Sequence, residues 1–167
     1  DRYGIDIGVL SNTGGRIEKA GDRARAVELC RILNDAFAEA HAKHPQRFMA
    51  FARLPMINVD DCVRELERCY KDLHMHGIMM PTNVAGKYID EPEFRPFWDA
   101  LAAGDKPLFL HPANAPCQSN WEKYSLHQKI LWPTDSTLAI ARIVYAGIFD
   151  RYPKLKMIGS HLGGMIL

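Results

Sequence analysis

Short apolar runs alternate with longer amphipathic stretches along the whole chain. Ile5-Asp6-Ile7-Gly8-Val9-Leu10-Ser11 alternates and then breaks at Asn12-Thr13-Gly14-Gly15, a pattern that predicts a strand followed by a loop. From Asp22 the period lengthens. Ala26, Leu29, Cys30, Leu33, Phe37 and Ala40 recur at helical spacing, Arg23, Arg25, Glu28, Arg31 and Asp35 occupy the opposite face, and Pro45 ends the pattern. Phe48 to Ala52 predicts a second strand, closed by Leu54-Pro55. Asn58 or Asp60 can cap a second helix, whose stripe is Val63, Leu66, Cys69, Tyr70 and Leu73. Gly77 stops that helix and opens a third strand, Ile78-Met79-Met80, which runs into Pro81-Thr82-Asn83. A third helix, Glu93 to Ala103, is entered through Pro92 and closed by Gly104. It leads to Pro107-Leu108-Phe109-Leu110-His111-Pro112, an apolar run too short for a helix and bounded by prolines, as a buried strand would be. The stretch from Pro112 to about Trp132 is polar and aromatic without periodicity and is longer than ordinary βα loops. A helix from Thr134 or Ser136 to Phe149 and a strand from Leu155 to His161 complete the pattern.

Strands alternating with helices predict an α/β protein with adjacent parallel strands and right-handed crossovers. Five such units without a sign of strand-order reversal are more than half of a (β/α)8 TIM barrel, whose closed form needs about 250 residues. The expectation is therefore an incomplete TIM barrel, with residues 1–167 forming one partial domain.

The candidate chemistry lies in two histidines. His111 and His161 each stand at the C-terminal end of a predicted strand, and in a parallel barrel those ends converge on one rim. Either histidine alone reads best as a satisfied core residue; together they predict a shared pocket. Neutral imidazole serves as a metal ligand and as an acid or base near neutral pH. One ligand plus one acid/base is thus as natural as two ligands. His41 and His44 close the first helix, where an imidazolium suits the helix dipole in a solvated position. His74 and His76 precede a strand, on the stability face of such barrels. Asn83 after the third strand, with His127 and Trp132 in the long segment, are candidate substrate-pocket positions. The carboxylates Asp90, Glu91, Asp99 and Asp135 are not tied by spacing to a histidine.

Composition narrows the partners. Lys+Arg 21 nearly cancels Asp+Glu 20 without long charge blocks, so no nucleic-acid partner is expected. No apolar stretch approaches the roughly 18 residues of a membrane span. Cys30, Cys62, Cys69 and Cys117 lack a C-x-x-C spacing, which fits reducing, cytoplasmic surroundings. Serine-nucleophile elbows and nucleotide-binding glycine motifs are missing. Gly163-Gly164 reads more simply as a tight turn than as a phosphate loop.

A set of segments occurring in order carries a resemblance: Asp1-Arg2-Tyr3-Gly4-Ile5, Leu29-Cys30-Arg31-Ile32-Leu33-Asn34, Pro45-Gln46-Arg47-Phe48, Leu54-Pro55, Gly77-Ile78, Phe109-Leu110-His111-Pro112, and the blocks Gly147 to Lys156 and His161-Leu162-Gly163-Gly164. Together they resemble the amidohydrolase-related family, in particular its aminocarboxymuconate semialdehyde decarboxylase-like members. The resemblance implies a distorted (β/α)8 barrel, of which this chain would supply strands two to six. It also implies one divalent metal at the C-terminal rim, usually Zn²⁺ with Mn²⁺ as an alternative, held by a His-x-His pair on strand one, a histidine ending strand five and an aspartate after strand eight. His111 falls on the strand-five ligand, and His161 on a strand-six histidine that acts in proton transfer. The implied reaction is non-oxidative loss of CO₂ from an unsaturated or aromatic small-molecule carboxylate. Hydrolysis or hydration is the alternative within the superfamily, and an inactive barrel fragment is a third reading. The remaining family ligands would precede Asp1 or follow Leu167. The substrate-carboxylate arginines also lie outside these residues, one of them on a neighbouring subunit, which implies a homodimer or larger oligomer. At Ser125 the family's muconate enzyme has an aromatic residue, so the resemblance leaves the specific substrate open.

Overall fold

The computed structural model describes residues 3–13, 17, 21–113 and 121–166. The Gly14-Gly15 break, Cys117 and the stretch 114–120 lie outside them. The chain divides into two compact units, residues 1–79 and 80–167.

The first unit runs β1 (Gly8–Leu10), α1 (Arg23–Lys43), β2 (Phe48–Arg53), α2 (Val59–Lys71) and into β3 (Gly77–Pro81). The strands are parallel, with Gly8 opposite Phe48 and Phe51 opposite Gly77. β1 is shorter than its alternation predicts, because Ile5, Ile7 and Val9 stay largely exposed and only residues 8–10 find ladder partners. Asp22 caps α1 by accepting from the Ala24 N–H at 2.9 Å. Asn58, and not Asp60, caps α2, accepting from the Asp61 N–H at 3.1 Å.

One position in the stripe of α1 is polar. Asn34 is fully buried, and its carboxamide acts as a strand partner for β2: Nδ2 donates to the Arg53 carbonyl at 2.9 Å, and Oδ1 accepts from the Arg53 N–H at 2.8 Å. Nδ2 also reaches Glu65 of α2 at 2.8 Å, and Glu65 in turn receives two donors from Arg68. Asn34→Leu removes these partners at once and strands buried polar groups. It is expected to lower unfolding free energy by roughly 2–4 kcal/mol, read as a fall in the urea midpoint at constant slope.

His41 and His76 are also structural. Their rings meet edge to face at 4.5 Å, His41 Nδ1 lies 2.6 Å from the Phe48 carbonyl oxygen, and the Ala50 N–H donates to His76 Nδ1 at 3.3 Å. His41 is thus tied to the start of β2 instead of being simply solvated.

In the second unit a small antiparallel hairpin, β4 (Asn83–Val84) and β5 (Lys87–Tyr88), precedes α3 (Arg95–Ala103). It turns at Ala85 (φ 51°) and Gly86 (φ 87°), the left-handed pair that tight hairpins require. β6 (Leu108–His111) follows and pairs in parallel with β7 (Met157–Gly159); between them in sequence come α4 (Trp132–Tyr145) and α5 (Ile148–Arg151), separated at Gly147 with φ 69°. The core of this unit is Phe97, Trp98, Leu101, Leu108, Leu110 and Ile143. Trp98 satisfies its indole N–H on the Ile89 carbonyl at 2.8 Å.

The stretch read as irregular up to Trp132 is helical sooner than expected. A single π-type turn, His127–Leu131, feeds directly into α4. Pro133 lacks the N–H that would close a normal turn on Lys129, and the wider turn before it absorbs that missing bond.

Candidate active site

β6 ends on His111, while β7 continues through Ser160 to His161. The parallel register sets Leu110 opposite Gly159, and the Ser160 N–H donates to the Leu110 carbonyl at 3.1 Å. Both histidines therefore emerge at the same strand end. Their ring centroids are 5.2 Å apart, at 59° to each other. Trp132 closes the group: its ring is nearly parallel to His161 at 6.0 Å and edge-on to His111 at 6.0 Å. His127, in the π-type turn, meets Trp132 edge-on at 5.6 Å, and its buried Nδ1 has no hydrogen-bond partner among the described residues. Four of the five candidate residues thus form one cluster. Asn83 is not part of this ring cluster: at the start of the hairpin its Oδ1 accepts from the Gly86 N–H at 3.1 Å, and its Nδ2 donates to Thr82 Oγ1 at 3.4 Å.

His111 is half-buried, with Nδ1 3.0 Å from the Pro112 carbonyl oxygen. A carbonyl can only accept, so Nδ1 is the donor in this contact, and Nε2 is the ring nitrogen that would serve a metal. His161 is exposed, with Nδ1 3.3 Å from Ser160 Oγ. No group of three or more ligating side chains occurs among the described residues. His111 fits one ligand position of a metal site, and tight binding needs further ligands.

The backbone around His161 is unusual. His161, Leu162, Gly163 and Gly164 have φ of 50°, 57°, 80° and 76°, four consecutive left-handed residues. Gly164 lies against the first two turns of α4, where Thr137 Oγ1 donates to the Pro133 carbonyl and accepts from the Met165 N–H at 2.7 Å.

The carboxylates separate by environment. Asp90 and Glu91 pair with Arg142, each at 2.7 Å, and Asp99 accepts from the Tyr152 hydroxyl at 2.6 Å. Of these four carboxylates, Asp135 alone is buried. It accepts from the Thr82 hydroxyl and, at 2.8 Å, from the Tyr88 hydroxyl, and burial raises its pKa above the usual carboxylate value although these hydrogen bonds oppose the shift. Sequence spacing gave no link between Asp135 and the histidines. The available clue was its place in the first turn of α4, three residues after Trp132.

A sequence profile described as amidohydrolase matches residues 5–166, nearly the whole chain. The chain belongs to the amidohydrolase family. Among the relatives of this amidohydrolase chain, a gamma-resorcylate decarboxylase from Rhizobium sp. (strain MTP-10005) is 34% identical over 98% of the chain and 53% of its own length. The 2-amino-3-carboxymuconate-6-semialdehyde decarboxylase of Dictyostelium discoideum is 30% identical over 98% of the chain and 46% of its own length. Among solved structures, 2,6-dihydroxybenzoate decarboxylase from Rhizobium superposes with a TM-score of 0.89 at 31% identity, covering 99% of this chain and 54% of that one. The Polaromonas sp. JS666 dihydroxybenzoic acid decarboxylase, solved with bound manganese and the inhibitor 2-nitroresorcinol, gives 0.84 at 32% identity, covering 94% and 50%. The fold is α/β, about five consecutive βα units of the TIM barrel of these enzymes. The chain spans about half the length of the curated relatives it matches.

Proposed function

We propose that the whole protein is a metal-dependent, non-oxidative decarboxylase of a small aromatic or unsaturated carboxylate. The observation that carries this reading is the meeting of His111, His161 and Trp132 at one strand end, in a chain whose relatives include decarboxylases of resorcylate and carboxymuconate semialdehyde. His111 would hold one position on a divalent ion. When bound, such an ion acts as a Lewis acid that holds substrate oxygens and offsets negative charge. His161 delivers a proton to the carbon that bears the carboxylate. The bond to the carboxyl carbon then breaks, its electron pair returns to the unsaturated system, and CO₂ leaves. The Ser160 hydroxyl steadies Nδ1 of His161, which assigns the transfer to Nε2. The Trp132 ring, nearly parallel to His161 at 6.0 Å, restricts the imidazole on that side.

The test is CO₂ release by the metal-loaded full-length protein, with product identification. Incubation with 2,6-dihydroxybenzoate, the compound in the name of the Rhizobium relative, is expected to yield a phenol one carboxyl group lighter. Products that retain every carbon would replace this reading with hydrolysis or hydration.

The ion is zinc or manganese, the latter supported by the manganese in the Polaromonas relative. Elemental analysis separates them. His111→Ala is expected to lower metal content from about one ion per chain to about a tenth or less after dialysis. We further propose a cytoplasmic homodimer or larger oligomer. The buried Cys62 and Cys69, which form no disulfide, support reducing surroundings. Light scattering on the full-length protein is expected to give at least twice the chain mass. No helix among the described residues is long and apolar enough to cross a membrane.

A further inference from the structure

We infer that Asp135 is a positioning residue for this site, acting through Thr82 to fix the chain at His111 against the helix that carries Trp132. The inference rests on the decarboxylase reading for its kinetic consequences and on the geometry alone for its structural ones.

Thr82 grips the end of β6 twice. Its N–H donates to the His111 carbonyl at 3.0 Å, and its hydroxyl oxygen accepts from the Ala113 N–H at 3.0 Å. The same hydroxyl has one proton to give, and it gives it to Asp135 Oδ2. The carboxylate therefore decides which way the hydroxyl points and keeps its lone pair on Ala113. The other carboxylate oxygen is held by the Tyr88 hydroxyl of the hairpin at 2.8 Å. In α4, Asp135 stands three residues after Trp132, so the two share one helix face. The carboxylate thus links three pieces of chain: the histidine-bearing strand end, the hairpin, and the helix start whose indole touches both site histidines.

The energetics point the same way. Asp135 is 3% exposed, Thr82 is fully buried, and no cation pairs with the carboxylate among the described residues. A buried carboxylate held by two hydroxyls and the Ala113 backbone, without a cation, is costly compared with an apolar residue of similar size. Asp90 and Glu91, by contrast, have Arg142 and sit in more open surroundings. Groups that are poor for stability yet fully hydrogen-bonded belong to sites where geometry matters more than stability.

The experiment compares wild type with Asp135→Asn, Thr82→Val and Thr82→Ser in the metal-loaded full-length protein. It adds imidazole NMR of the metal-free form. Asp135→Asn keeps one acceptor oxygen where the wild type has two, so the Thr82 and Tyr88 hydroxyls can no longer both donate to it. It is expected to lower kcat by about 10- to 100-fold, the range for a small misplacement of reacting groups, with KM within about twofold. Thr82→Val should behave alike, while Thr82→Ser keeps the hydroxyl and restores activity. In the metal-free protein, the ring signals of His111 and His161 should move in Asp135→Asn while those of His41 and His44 stay. If Asp135→Asn fails to fold, Tyr88→Phe, which removes a single hydroxyl, takes its place with the same expected shifts.

The inference is overturned if the imidazole signals are unmoved and kcat is within about twofold of wild type, including the case in which only the melting temperature falls. A wild-type protein that releases no CO₂ while its variant still moves the His111 and His161 signals would refute the decarboxylase reading and leave the positioning role standing.

Discussion

Replacing His161 by asparagine is expected to lower kcat by about 10²- to 10⁴-fold, the usual contribution of a positioned acid or base. Metal content and KM should stay near wild type. Asparagine keeps a polar group of similar reach beside Ser160 but has no proton to release in the neutral pH range. In the proposed reaction the ring carbon must be protonated before the carboxyl carbon departs, so the loss falls on the chemical step. Single-turnover CO₂ release measures that step directly. A variant that keeps a tenth or more of wild-type kcat would transfer the proton to another group, and His127, 5.6 Å from Trp132, would be the first to examine.

The second large effect concerns stability and separates two neighbouring glycines. Gly163 and Gly164 both have left-handed φ, 80° and 76°. A Cβ on Gly163 would meet open space, so Gly163→Ala carries only the conformational penalty, about 1–2 kcal/mol. A Cβ on Gly164 would fall inside the contact distance of the Pro133 carbonyl oxygen and Thr137 Oγ1, and 3.1 Å from the Thr137 nitrogen. Those atoms belong to the first two turns of α4 and to the side-chain bond from Thr137 back to Pro133, so they cannot easily give way. Gly164→Ala is therefore expected to cost roughly 3–5 kcal/mol, strain and overpacking together. Urea unfolding of the two variants side by side checks this. Equal midpoints would mean that the turn can leave the helix without loss. Because the turn follows directly on His161, Gly164→Ala should also lower activity in whatever fraction remains folded.

The βα rhythm was readable because each element carries its own local signal. The stripe of α1, the Asn58 cap of α2 and the proline-bounded run of β6 depend on neighbours within a few residues. Features that failed to announce themselves draw their stability from distant partners. Asn34 looks like an interruption of an apolar stripe until β2 is laid beside it. The hairpin at Asn83 to Tyr88 has only two residues per strand, too few to show a period. The segment before Trp132 reads as a loop by composition, yet helix α4 recruits its last residues through a wider turn. Within the site, His111 and His161 could be placed at strand ends, and the family resemblance assigned them a ligand and an acid role that the experiments above test. Asp135 stayed invisible because its partners, Thr82 and Tyr88, lie 53 and 47 residues away.

The sequence by itself determined the order and type of most elements and the strand ends on which the two histidines stand, since periodicity, caps and breakers act over one or two turns of chain. Only the tertiary structure decided that imidazoles fifty residues apart come to 5.2 Å, that an indole stacks on one of them, and that a buried carboxylate ties the strand end to the helix. Those facts depend on strand register and helix packing, which are set by the summed burial of many side chains and are written in no single stretch of residues.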